Sequence, residues 1–240
     1  MIRFGDELIY LDPQKTGGTW MIHNLRKHCT LPVMTEHKNH PVSLYYSDRA
    51  FKFSTIRHPL GYWSSLYRYN LDWKGDLVLF TGDREKKEYH PMYESFDTFV
   101  EFMLDPENMN YVCSKMAWAY TKKLSMHMGL CEYRFLYLNL MGPKVWNQID
   151  HQIETAPAGA DMEWVHDMTI YDHLIKQEEL EQGFENLRGM YPQWFDDEPI
   201  LKQRINSAQT PEHAIELKSD VLRRELLDKE KRMVDLWESL

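Results

Sequence analysis

The stretch Glu7 to Trp20, ELIYLDPQKTGGTW, constrains the fold of this chain more than any other. Leu8-Ile9-Tyr10-Leu11 is a short apolar run with the length and residue types of a buried strand. Asp12-Pro13 ends it, because proline cannot continue a ladder. Lys15-Thr16-Gly17-Gly18-Thr19-Trp20 follows, and then MIHNLRKHC, in which Met21, Ile22, Leu25 and Cys29 recur at helical spacing. A strand, a glycine turn and a helix start, in that order, can form a phosphate cradle. Glycines let backbone N–H groups close round an anion, the helix N-terminus adds positive potential, and Lys15 supplies a full charge. The same residues also suit an ordinary tight turn between strand and helix.

The stretch is not the usual nucleotide loop. A Walker motif places lysine after the glycines, in G-x-x-x-x-G-K-[ST], whereas Lys15 precedes Gly17 and Gly18, and no G-x-G-x-x-G occurs in the chain. Kinase, ATPase and dehydrogenase readings lose their main support.

A chain of 240 residues suits one large domain, 1–240, and its 43% hydrophobic content is enough for a full core. The formal net charge of -9 argues against general binding to nucleic acid or acidic membranes, which needs a basic face, yet leaves room for a local basic pocket. Cys29, Cys113 and Cys131 are too scattered for a disulfide framework or a C-x-x-C pair. The N-terminus has the pattern of neither a signal peptide nor a membrane anchor, and the expectation is a soluble, cytoplasmic protein.

Farther along, Thr30 to Arg49 reads as a polar, irregular loop carrying Glu36-His37-Lys38-Asn39-His40. Phe51 to Ile56 alternates as a half-buried strand does, Arg57-His58-Pro59 ends it, and Leu60 to Leu71 fits a helix on the sheet. Asp72 to Ser95, with its charge run at 83–88, suggests a surface insertion. Helices are expected near Phe96 to Leu104 and Tyr111 to His127, a strand at Arg134 to Leu140, and a loop at His151 to Trp164. A further strand is expected at Met168 to Ile175, a helix at Glu178 to Met190, and one or two amphipathic helices over Pro211 to Leu240. Strands alternating with helices predict an α/β, P-loop-like three-layer sandwich with a mainly parallel central sheet flanked by helices. In such sheets ligands sit beyond the carboxyl ends of the strands, where Lys15 and Arg57 both fall.

Arg57-His58-Pro59 with Ser65 eight residues after the arginine, two turns into the next helix, supplies a planar fork of donors and a hydroxyl that can grip a second phosphate. A structural ion pair for Arg57 is the alternative. Together the two motifs resemble those of the sulfotransferases that use 3′-phosphoadenosine 5′-phosphosulfate, and more particularly soluble members of bacterial or viral type. In that family a K-[ST]-G-x-T loop binds the 5′-phosphosulfate. A strand ending R-x-P, with a serine eight residues beyond the arginine, binds the 3′-phosphate. Lys15-Thr16-Gly17-Gly18-Thr19 and Arg57-x-Pro59 with Ser65-x-Tyr67 match both in order and context, over residues 8 to 70.

The resemblance implies that Lys15 serves the 5′-phosphate and bridging oxygen, that Thr16, Gly17, Gly18 and Thr19 donate to the phosphate, and that Trp20 stacks on adenine. Asp172 to Leu180 looks like the family's strand running into an E-x-L helix start. Gln203-Arg204-Ile205-Asn206-Ser207 resembles a late N-x-S loop that closes over the nucleotide, which adds Arg204, Asn206 and Ser207 to the binding residues. The loop departs from the family in beginning Pro-Gln-Lys rather than Pro-Lys, and the R-K-G-x-x-G motif of cytosolic members is absent.

The implied activity is sulfuryl transfer to a hydroxylated acceptor, with adenosine 3′,5′-bisphosphate as product. The reaction needs no metal, and His37-x-x-His40 lacks an evident third ligand. Sulfuryl transfer asks for a base, in-line placement and stabilisation of charge on the leaving phosphate. Lys15 and the helix N-terminus meet the last need. For the base, His40 comes first, His37 second and Glu36 third. The competing expectation is a non-catalytic module that binds a phosphorylated adenosine nucleotide and needs no base.

Overall fold

The computed structural model describes residues 1–36, 49–81, 90–115, 122–139, 151–152, 156–157, 163–202 and 215–240. Five strands form one mixed sheet: β1 (Ile2–Phe4), β2 (Leu8–Leu11), β3 (Val33–Glu36), β4 (Phe51–Ile56) and β5 (His173–Lys176), in the order β3-β1-β2-β4-β5. Its core is parallel, with Leu11 opposite Ser54 and Phe53 opposite His173, while β1 runs antiparallel to both β2 and β3.

The sheet is therefore α/β as expected but less parallel, because two strands arise where none is predicted. Phe4 pairs with Leu8 across Gly5-Asp6-Glu7, with Gly5 at φ 53°, which makes the N-terminus a hairpin. Inside the expected loop 30–49, Val33–Glu36 is an edge strand whose Val33 and Met34 are exposed, so it shows no buried-exposed alternation for a sequence reading to find.

Side chains alternate across the sheet and define three layers. Leu8, Tyr10, Phe53 and Ile175 pack with Trp20, Met21 and Leu25 of α1 (Gly18–His28) and with Phe184 and Leu187 of a later helix, Leu180–Met190. The opposite face gives Ile56 and Leu174 to a larger core. That core is built from α2 (Pro59–Leu71), α3 (Asp76–Thr81), α4 (Phe96–Leu104), α5 (Pro106–Lys115), α6 (Lys122–His127) and α7 (Leu130–Asn139). The short α8 (Glu163–His166) also joins this core; α9 is the helix Leu180–Met190, and the chain ends in α10 (Asp220–Lys229) and α11 (Lys231–Glu238). Within 72–95, Leu77, Val78, Met92 and Tyr93 are buried in the same core. Among the described residues no helix is long and apolar enough to cross a membrane.

One element reverses type. Arg134 to Leu140 is expected to be a strand, but Leu130–Asn139 is helical, and Leu130, Cys131, Glu132, Tyr133, Phe135, Leu136, Leu138 and Asn139 are all buried. A helix enclosed on nearly every side has no polar stripe, so its sequence lacks the 3.6-residue signal and a short alternation can pass for a strand. The strand expected over Met168 to Ile175 is confined to His173–Lys176, where it pairs with β4.

Candidate functional site

The neighbouring parallel strands β2 and β4 send their following helices to opposite faces of the sheet, α1 to one and α2 to the other. Such a reversal opens a crevice beyond the carboxyl ends of the strands. Here it is a cleft of about 410 Å³. Its walls come from the loop Asp12 to Lys15, from Gly18, Thr19, Ile22, His23 and Arg26 of α1, and from Leu66, Tyr69 and Asn70 of α2, with Lys74 and Arg134 closing it.

The loop is fastened from beneath. Thr16 Oγ1 donates to the Pro13 carbonyl at 2.7 Å and lies 2.7 Å from Thr55 Oγ1, which in turn meets the Tyr10 hydroxyl at 2.8 Å. The Thr16 hydroxyl thus faces the sheet, and its backbone is what remains for an anion. Lys15 sits at φ 68°, a left-handed conformation that costs a non-glycine residue roughly 1 kcal/mol. Gly17 is also left-handed, at φ 90°, and a Cβ there would collide with Leu180 of α9. At Gly18 a Cβ would collide with the carboxylate of Asp12. Gly17 is therefore required by its left-handed backbone, while Gly18 leaves room for the Asp12 carboxylate, which places a negative charge beside the first turn of α1. That helix has no side-chain N-cap.

Charge gathers on the other side of the loop. Arg57, 8% exposed, donates from Nη1 to the Lys15 carbonyl at 3.3 Å, and Gly61 leaves the room, since a Cβ there would stand 2.9 Å from Arg57 Nε. Lys15 Nζ lies 3.0 Å from the centre of the Tyr69 ring. Burial first, and then the charges of Arg57, Arg134, Arg68 and Lys74, bring the Lys15 ammonium down to about 7. Lys15, Lys74 and Arg134 line the cleft, with Arg57 and Arg68 near enough to act on the Lys15 charge, and this gathering of cations stands out in a chain whose formal net charge is -9. Such a focus of one sign attracts and holds anions.

The structure brings together Lys15, Gly18 and Thr19, which line the cleft, and Arg57, which meets Lys15 from behind. Separate grips by Lys15 and Arg57 on two phosphates are the expectation; the structure links the two residues through the Lys15 carbonyl, with Lys15 lining the cleft and Arg57 lining a small neighbouring cavity. Ser65 is half-buried on α2, flanked by the cleft residues Leu66 and Tyr69. Trp20 is a correction: it is 6% exposed, with its ring edge-on to Phe184 at a centroid distance of 6.0 Å, and it packs in the core instead of offering a stacking face. Glu36 reaches the cleft from the end of β3 and is ion-paired with Arg26. His37, His40, Arg204, Asn206 and Ser207 lie outside the described residues.

Sequence reasoning misses Arg134, Arg68, Lys74, Tyr69 and His23. Arg134 is hidden by the misread helix, and Lys74 by the reading of 72–95 as an insertion. Tyr69 and His23 carry a signal in hindsight: each lies on the helix that follows one of the two motifs, on the side that lines the crevice. The chain matches no protein-family model, no curated protein and no solved structure.

Proposed function

We propose that this protein is a sulfotransferase that moves a sulfuryl group from 3′-phosphoadenosine 5′-phosphosulfate to the hydroxyl of an acceptor. The observation that carries the reading is the position of the lysine loop and the arginine motif. They follow neighbouring parallel strands at the point where the helices diverge, with Lys15 lining the cleft and Arg57 bonded to the Lys15 carbonyl behind it. A phosphosulfate donor is a polyanion, and the bond that breaks sends charge onto the bridging oxygen of the leaving phosphate. Lys15 and Arg134, which line that cleft, with Arg57 behind the loop, would stabilise this charge without rearranging. The acceptor enters from the side of His23, Arg26 and Glu36, which line the same space.

The test is an acceptor screen with sulfate-labelled donor, run alongside calorimetric binding of adenosine 3′,5′-bisphosphate. Label transfer to a hydroxyl compound, abolished in Lys15→Ala, supports the enzyme. Tight nucleotide binding with no transfer across sugars, phenols and alcohols leaves a nucleotide-binding module, and no binding of either nucleotide ends both readings.

A further inference from the structure

We propose that Trp237, on the last helix of the chain, is the platform on which the base of the bound nucleotide stacks. The proposal rests on the reading of the cleft as a nucleotide site and adds where the base goes.

Three features place Trp237 there. The first is its position at the functional edge of the sheet. The parallel strands β2, β4 and β5 end side by side, β2 in the lysine loop, β4 in Arg57-His58 and β5 in Lys176-Gln177-Glu178. Helix α11 crosses this edge. Its Met233 lines a small cavity together with Gln14, Thr16, Arg57 and Arg134, and one turn later Trp237 reaches the ends of β4 and β5.

The second is how the ring is held. His58 meets Trp237 edge-on, with centroids 5.1 Å apart and planes at 86°, and the indole N–H donates to Glu178 Oε2 at 3.1 Å. The Lys176 ammonium stands 4.3 Å from the ring centre. Three polar side chains from the carboxyl edge thus fix a half-buried indole, while the residue that this helix buries fully in the core is Met233.

The third is the link to the loop. Gln177 and Leu180, which flank Glu178 in sequence, pack directly on Gly17, so the ring's anchor and the glycine turn belong to one contact surface. A nucleotide with its phosphates at the loop needs an aromatic surface nearby for its base. Trp20 is packed in the core, and the ammonium over Tyr69 at 3.0 Å is that of Lys15, the loop lysine the phosphates themselves require, whereas the one over Trp237 belongs to Lys176, outside the loop.

Exchange at Trp237 is favourable. Stacking on an aromatic ring strengthens binding by about tenfold to a hundredfold, whereas a cation over an exposed ring contributes about two- to fivefold. A base can therefore displace Lys176 from the ring.

The experiment titrates the full chain with two probes, adenosine 3′,5′-bisphosphate and inorganic pyrophosphate, the second having phosphates and no base. Wild type should bind the nucleotide more tightly than pyrophosphate. Trp237→Ala should weaken the nucleotide about tenfold or more and leave pyrophosphate within twofold, and Trp237→Phe, which keeps a ring, should restore most of the loss. Should Trp237→Ala fail to fold, Trp237→Phe serves alone, through loss of the part of the nucleotide-induced fluorescence quenching that belongs to this indole. Equal weakening of both probes would make Trp237 a support for the helix and overturn the proposal, as would an unchanged nucleotide affinity or unchanged quenching. If wild type binds pyrophosphate and the nucleotide equally, the anion cleft stands and the platform falls. If it binds neither, the nucleotide reading fails and takes the platform with it.

Discussion

Helix α7 separates two clusters of charge that differ in kind. Glu132 points one way, to His166 Nε2 and Arg232 Nε, each at 3.0 Å, beside Glu230. The Glu230 carboxylate accepts from Trp63 Nε1 at 2.9 Å and from the backbone N–H groups of Cys131 at 2.9 Å and Glu132 at 3.0 Å, with Gly129 leaving the space that a Cβ would fill. Two residues farther along the helix, Arg134 points the other way, into the cation cluster around Lys15. Residues two apart on a helix do not share a face, so one element serves both clusters and keeps them apart. In the first, two buried carboxylates are held by compensating groups, Glu132 by His166 and Arg232 and Glu230 by three neutral donors, as an element needed for folding demands. In the second, like charges crowd an open cleft. That arrangement opposes folding and prepares the site for a ligand of the opposite sign.

The comparison breaks most sharply through stability. Glu230→Ala leaves three buried donors without their acceptor and frees the start of α11 from the start of α7, so it should cost about 3–5 kcal/mol in urea unfolding. Lys15→Ala removes one of several like charges while keeping the left-handed backbone, and it should leave stability unchanged or slightly higher. A loss of several kcal/mol in Lys15→Ala would show that its ammonium belongs to the structural class.

Anion affinity should show the reverse. Arg134→Ala and Lys15→Ala should each weaken adenosine 3′,5′-bisphosphate about tenfold to a hundredfold by calorimetry, the range for losing a charged hydrogen bond. Conservative changes at the Glu132 side of α7 should leave it within twofold. Arg57→Ala should weaken binding and also loosen the loop, because the same guanidinium holds the Lys15 carbonyl.

Titration separates the clusters next, with opposite signs. Glu230 is pushed up to about 7, chiefly by burial and partly by Glu132, against the three donors that favour its anion. Its contribution to stability is complete below the ordinary carboxyl range and is lost as pH rises through about 7. Thermal unfolding between pH 5 and 8 should show that decline in wild type and a flatter profile in Glu230→Gln. Lys15, lowered to about 7, instead opposes folding at low pH and is relieved as pH rises past 7 toward its unfolded value. A bound anion favours the protonated form of the ammonium, so bisphosphate affinity should fall above pH 7 in wild type more steeply than in Lys15→Arg, whose guanidinium does not titrate. Parallel profiles in the two proteins would remove Lys15 from direct contact with the ligand.

The contrast also explains how far the sequence could be read. The strand, loop and helix at 8–28 and the strand and helix at 51–71 were legible, because each obeys a local rule: an apolar run, a proline stop, a helical repeat. Their meeting at one crevice followed from α/β topology. Arg134 was not legible, since the helix that delivers it is buried all round and lies some 120 residues from Lys15 in sequence. Nor was the fate of Trp20, because adjacency to a loop does not say on which side of a helix a ring will fall. Asp12 was legible only as the residue before a proline, and its carboxylate against Gly18 is a product of the turn's conformation.

Asp12 yields the smallest expected effect. Its carboxylate lines the cleft beside the first turn of α1, where a negative charge stabilises the helix dipole by about 0.3–1 kcal/mol and also repels an incoming phosphate. Asp12→Asn keeps the shape and removes the charge. It should therefore lower stability by less than about 1 kcal/mol and tighten pyrophosphate roughly threefold to tenfold, with the gain shrinking at high salt as screening weakens the repulsion it relieves. Combining it with Lys15→Ala tells whether the two charges act on one ligand. If they do, the effects on affinity will not add, since each changes the field in which the other meets the phosphate. Additive effects, or an affinity that Asp12→Asn leaves unchanged, would put the anion away from the helix N-terminus and assign the cleft to Lys15, Lys74 and Arg134 alone.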